Sequence, residues 1–238
     1  MLPFFRKIRY RLAKDNQFFK YSRYAIGEIV LVVIGILIAL YINNWNQERK
    51  ERIEEKEILE DIKKDLEMNM ILISNDWSQR SFESCSVILE VLKNKQPYND
   101  SLAYHFHSSR IFADLTLSTS SYQALKNKGF DLISSKPLRK KIINHFEVTI
   151  NTIRERIFRI EGSTRPYFQT FVYENFESDI DSSSRLIPND YDSLLNNQIY
   201  FNIITQRRNF QRMNMEVRSE YKIESQNLLD EINSELTK

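Results

Sequence analysis

From Ala25 to Ile42 the chain reads AIGEIVLVVIGILIALYI, apolar on all sides with Glu28 as its one ionisable residue. A helix needs roughly 20 mostly apolar residues, at ~1.5 Å each, to cross a ~30 Å hydrocarbon core. Tyr24 and Asn43-Asn44-Trp45 extend the run into both interfaces. A surface helix of a soluble domain would be apolar along one stripe only. The pattern therefore predicts a membrane helix over 24–45, with Tyr21, Tyr24, Tyr41 and Trp45 as interfacial anchors, since aromatic rings favour the headgroup region.

Beyond residue 45 the apolar positions fall at steps of three and four, the spacing of helices buried on one face. Asn46 to Asn94 carries Leu59, Ile62, Leu66, Met70, Ile73 and Trp77, then Cys85, Ile88 and Leu92, which predicts one long helix continuing the anchor as a stalk. Lys95 to Asp100 reads as a turn and Ser101 to about Asp114 as a helix. Ser120 and Gln123 fit a capping box for a short helix that ends at Lys126, Lys128 and Gly129. The next helix starts near Ser135, with Pro137 in its first turn. Its stripe is Leu138, Ile142, Phe146, Ile150, Ile153, Ile157 and Ile160. Gly162 and Pro166 should kink or break it before a short aromatic piece, Tyr167 to Phe176. Glu177 to Pro188 reads as a loop. A last helix from Asn189 or Asp190 to Leu236 carries Leu195, Ile199, Ile203, Phe210, Met213, Val217, Tyr221, Leu228, Ile232 and Leu236.

No segment alternates like a strand, so the predicted class is all-α. A single transmembrane helix leads into an antiparallel bundle whose first and last helices are long. The domains expected are a basic tail over 1–23, the span over 24–45 and one helical domain over 46–238. The heptad phase drifts, which favours a bundle over a coiled coil.

Charge sets the orientation. Residues 1–23 hold Arg6, Lys7, Arg9, Arg11, Lys14, Lys20 and Arg23 against Asp15, whereas the signs mix beyond the span. The positive-inside rule then puts the N-terminus in the cytoplasm and the long C-terminal part outside. The whole chain is formally +2, and residues 44–238 alone carry −3, which speaks against a nucleic-acid binder. The exit from the span lacks a small-x-small cleavage site, so a retained anchor is expected rather than a cleaved signal peptide. Phe4, Phe5, Ile8 and Leu12 recur at helical spacing. Arg6, Lys7, Arg9 and Arg11 surround them and would contact the inner leaflet of the bilayer. A plain orientation signal explains the same residues.

Three stretches, Phe4 to Arg9, Tyr24 to Leu40 and Ile42 to Asn46, resemble the N-terminal signature of an uncharacterised bacterial membrane protein family, domain of unknown function 6090. Tyr122 to Gly129 and on to Leu138-Arg139 is similar to that family's middle region. The resemblance implies a Gram-negative inner-membrane protein with a periplasmic helical domain. It carries no activity and no site residues.

The candidate chemistry is sparse. Cys85 is the lone cysteine and lies on the apolar stripe of its helix, where it is expected to be buried and inert. His105 and His107 would point to different sides of a helix, so no metal site is expected there. Asp179, Asp181, Asp190 and Asp192 lack the spacing of a calcium loop. Arg154, Arg156, Arg159 and Arg165, and likewise Arg207, Arg208 and Arg212, read as charged helix faces. No nucleophile elbow, phosphate loop or zinc-protease pattern occurs, so no enzyme and no cofactor is expected.

Glu28 is costly in hydrocarbon unless it is neutral, paired or interfacial. It reads either as an interfacial residue near Tyr24 or as an intramembrane contact, beside Gly27 and the small pair Gly35/Ala39, which need not share its face. The expected function is a membrane-anchored helical interaction or sensing module. Its expected partners are the lipid bilayer and either a second copy (a homo-oligomer) or another envelope protein, with no nucleic acid. An accessory subunit of an envelope complex and an envelope enzyme with an inter-helix site are the alternatives.

Overall fold

The computed structural model describes residues 18–74, 76–112, 115–178 and 184–237. The basic residues Arg6, Lys7, Arg9 and Arg11, and the loop acids Asp179 and Asp181, lie outside them. The chain divides into two units, Met1–Glu54 and Glu55–Lys238. Helix α1, Phe18–Ile73, supplies residues to both. Every residue from Ile26 to Trp45 is exposed, unlike a core helix. Among the described residues this is the one helix long and apolar enough to cross a membrane.

The second unit is built from the C-terminal part of α1 and from α2 (Trp77–Asn94), α3 (Leu102–Ser109), α4 (Ser120–Lys128), α5 (Lys136–Asn144), α6 (Ile150–Asn175), α7 (Tyr191–Leu195) and α8 (Gln198–Leu236). The protein is 84% helical, as its spacing predicts. The long elements run antiparallel. Lys95, after α2, hydrogen-bonds Asn196 before α8, and Arg218 far along α8 reaches the carbonyl of Ile73 before α2. Two hydrophobic clusters hold the unit together, each buried Leu or Ile contributing ~1.5–3 kcal/mol. One joins Ile58, Leu59, Ile62 and Leu66 of α1 to Ile142 of α5, Ile150 and Ile153 of α6, and Tyr221 and Ile232 of α8. The other joins Cys85 and Ile88 of α2 to Phe106, Phe168, Tyr200 and Ile204.

Several expectations need correction. The helix expected over 46–94 is not continuous: one helix ends at Ile73 and the next begins at Trp77. The Ser74 hydroxyl bonds the Met70 carbonyl, and Trp77 is left 43% exposed rather than in the core stripe. The loop expected over 177–188 contains a two-stranded antiparallel ribbon. Strand β1 (Phe176–Ser178) pairs with β2 (Leu186–Pro188), with Glu177 opposite Ile187. The buried side chains of Phe176 and Leu186 anchor it in the second cluster.

Gly162 and Pro166 do not end their helix. Helix α6 runs through both, because Phe168, Phe171 and Val172 beyond them pack into the second cluster. The last helix is split: α7 is capped by Asp190, which accepts from the Ser193 amide at 2.9 Å, and α8 by Asn197, which accepts from the Tyr200 amide at 2.9 Å.

Candidate functional site

A buried polar layer in the second unit is built mainly on α8. The buried residues of α8 include Tyr200, Ile204, Arg207, Gln211, Asn214, Arg218, Tyr221, Ser225, Leu228, Ile232 and Glu235. Their steps alternate four and three without a break, a heptad seam with a polar middle. Counting apolar residues alone hides it, which is why the expected stripe drifts. Ile199 and Met213 on that stripe are 66% and 43% exposed. The seam reads clearly once Arg207, Gln211, Asn214 and Arg218 are included.

Arg207 is fully buried and holds the layer together. Its Nη1 donates to Glu161 Oε2 of α6 at 2.5 Å, its Nε to the Ser109 carbonyl at 3.3 Å, and its Nη2 to the Ile111 carbonyl. Its guanidinium carbon lies 3.9 Å from the centre of the Phe112 ring. Asn214 Nδ2 donates to Glu161 Oε1 at 2.7 Å. With its oxygen turned to the guanidinium, the Gln211 amide accepts from Nη1 and Nη2 at 3.1 and 2.6 Å. A buried charge is tolerated when it is paired and hydrogen-bonded in this way. Arg218 donates through Nη1 to the Ile73 carbonyl at 3.3 Å, while its Nε and Nη2 have no partner. Burial lowers the pKa of Arg218, and Glu161 opposes that shift. Arg207 is thus no member of a solvated charged face, which corrects that expectation; Arg212 is exposed.

Helix α1 contributes two carboxylates. Asp65 accepts from the hydroxyls of Ser118, Ser120 and Ser121 and from the Ser121 amide at 2.8 Å. Burial alone would raise its pKa; the bonds from Ser121, Ser118 and Ser120 outweigh burial and lower it. The capping box expected at Ser120–Gln123 is absent for this reason. Thr119 is the N-cap of α4, and Asp65 satisfies the helix start from another element. Glu55 accepts from the amide and hydroxyl of Ser134, just before α5, both at 2.8 Å.

Between α5 and α6 lies one turn of π-helix, His145–Thr149. His145 is buried, and its ring lies 5.4 Å from that of Tyr221. Its Nε2 has no partner, and burial pulls its pKa down to about 4. Cys85 is fully buried and its thiol is pushed up to about 12 by burial. His105 Nδ1 lies 3.2 Å from Ser84 Oγ. Among the described residues no three His, Cys, Asp or Glu side chains are grouped to hold a metal.

In the first unit Tyr24, Tyr41 and Trp45 are 74%, 73% and 57% exposed, and Tyr21 is half-buried. Glu28, Gly27, Gly35 and Ala39 are all exposed. At ~100° per residue, Glu28, Gly35 and Ala39 fall within ~40° of one another on the helix surface, whereas Gly27 stands ~100° from Glu28. The uninterrupted helix therefore gives Glu28 a face shared with the Gly35/Ala39 pair.

The model of a family of unknown function (DUF6090) matches residues 28–158. The chain belongs to this family. The DUF6090 match takes in Glu28, Gly35, Ala39, Glu55, Asp65 and His145, and stops short of Glu161 and all of α8. No curated protein and no solved structure matches the chain.

Proposed function

We propose that this DUF6090 protein is a membrane-anchored helical interaction or sensing module that self-associates through its span. The observation that carries this reading is the shared face of Glu28, Gly35 and Ala39 on an apolar helix whose residues from Ile26 to Trp45 are all exposed. A carboxylate inside the hydrocarbon costs up to ~2.5–3.5 kcal/mol at the centre of a span and less one turn from its edge, where Glu28 lies, and covering it at a helix–helix contact relieves that cost. Small residues on the same face let two backbones approach closely. The basic residues between Arg6 and Arg23 support an inner-membrane topology with the N-terminus in the bacterial cytoplasm and the second unit in the periplasm. The module is proposed to act by contact rather than catalysis, with no cofactor and no nucleic-acid partner. The buried carboxylate Glu161 is engaged in packing, consumed by Arg207 and Asn214.

The test is in-cell crosslinking of the full-length protein, combined with its oligomeric state in mild detergent and in bilayers. Oligomers are expected, and Glu28→Leu or Gly35→Leu should weaken them. A monomer in both environments overturns self-association. Capture of a different membrane protein, lost on Glu28→Leu, would replace that reading with an accessory subunit of an envelope complex.

A further inference from the structure

We propose that a cleft on α6 binds a small amphiphilic anion, a carboxylate or phosphate carried on an apolar body. The cleft has a volume of about 390 Å³, within the range of small-molecule sites. Its apolar walls are Leu115, Ile157, Phe158 and Pro166. Phe158 is 80% exposed, so a full aromatic face is available to a ligand.

Two backbone features open the cleft. Gly162 lines it, and a Cβ built there would meet nothing within 4 Å. Pro166 lies four residues further along the same helix and has no N–H to give to the Gly162 carbonyl. The Gly/Pro pair that fails to break α6 thus leaves a bare stretch of helix wall.

Charge selects the ligand's sign. Arg154 and Arg165 line the cleft. Arg154 donates to a neutral acceptor, the Leu117 carbonyl, at 2.8 Å, a contact that does not cancel its charge. Glu161 is the one carboxylate among the described lining residues, and its oxygens are turned inward to Arg207 and Asn214. Arg154 therefore offers guanidinium charge beside apolar surface. An anionic head with an apolar body complements both, and an organic cation complements only the second.

This inference is independent of self-association through the span, and either can fail alone. The test uses full-length protein in phosphatidylcholine nanodiscs, with binding measured by calorimetry against empty discs. Octanoate and octyl phosphate are the two anionic probes, and octyltrimethylammonium is the cationic control. Saturable binding of at least one anion is expected, identifying the head group, and at least tenfold weaker binding of the cation. Gly162→Leu should abolish binding by filling the cleft; its helical position and open surroundings keep the fold intact, checked by an unchanged or raised melting temperature. Arg154→Gln should weaken the anion at least tenfold. Equal binding by wild type and Gly162→Leu, equal binding of the cation, or no saturable binding of either anion overturns the proposal.

Discussion

At the residue level the second unit depends on buried polar groups whose partners are supplied from elsewhere in the chain. Arg207, on the heptad seam with Gln211 and Asn214, and Glu161 of α6 are 0% and 4% exposed. Removing one member of such a pair leaves an uncompensated buried charge, at a cost of about 3–5 kcal/mol. Arg207→Met should lower stability by that amount in urea unfolding of the full-length protein in detergent. Adding Glu161→Leu to it should restore part of the loss, because no orphaned carboxylate then remains. A double variant less stable than the single would refute this account of the layer. His145 yields a prediction in pH. Its folded pKa, about 4, lies below the ordinary 6.5. Between these values the unfolded chain binds more protons, so the stability contributed by neutral His145 is fully present above pH 6.5. It is lost as pH falls toward 4, by on the order of 3 kcal/mol. His145→Leu should flatten the slope of stability between pH 4 and 6.5, read from urea midpoints across that range.

At the level of elements, Asp65 shows why some local signals mislead. Ser120 and Gln123 have the spacing of a capping box, yet the serine hydroxyls turn to a carboxylate on α1, distant in sequence. Asp65→Ala should therefore expose the first turn of α4 as well as α1. Faster exchange of the Ser121 amide, with a loss of about 1–2 kcal/mol in global stability, is the expected result. Unchanged exchange there would show that Asp65 is not the cap. The helix content, the stripe Leu138 to Ile160 and the start of α5 after Ser135, with Pro137 in its first turn, were all legible in the sequence, because apolar spacing and proline chemistry are local. The π-turn was half legible. Leu138, Ile142, Phe146 and Ile150 stand four apart, and three successive steps of four drift off one face of an α-helix by ~120° unless a wider turn absorbs the excess. The polar layer was not legible from hydrophobicity. Its residues are inside because Glu161 and backbone carbonyls from other elements satisfy them, and pairing across elements leaves no mark in a one-dimensional apolar pattern. The ribbon of β1 and β2 was too short to show alternation.

At the scale of the whole molecule, the division at Glu54/Glu55 makes separable predictions about folding and association. The second unit has both hydrophobic clusters, the polar layer and the two carboxylate caps within residues 55–238. None of these uses a residue of the span. A fragment of residues 46–238 should therefore be water-soluble, highly helical by circular dichroism and cooperative in thermal unfolding. If association resides in the Glu28/Gly35/Ala39 face, this fragment should also be monomeric in sedimentation equilibrium under conditions where the full-length protein associates in bilayers. A fragment that self-associates as tightly as the full chain would move the interface to the second unit. The exposed side chains of α6 and α8, among them Phe158 at 80% and Ile199 at 66%, would then be the places to probe by substitution. A fragment that fails to fold would show instead that the N-terminal part of α1 is required to nucleate the helix carrying Glu55 and Asp65, since starting a helix is the costly step and extending it is cheap.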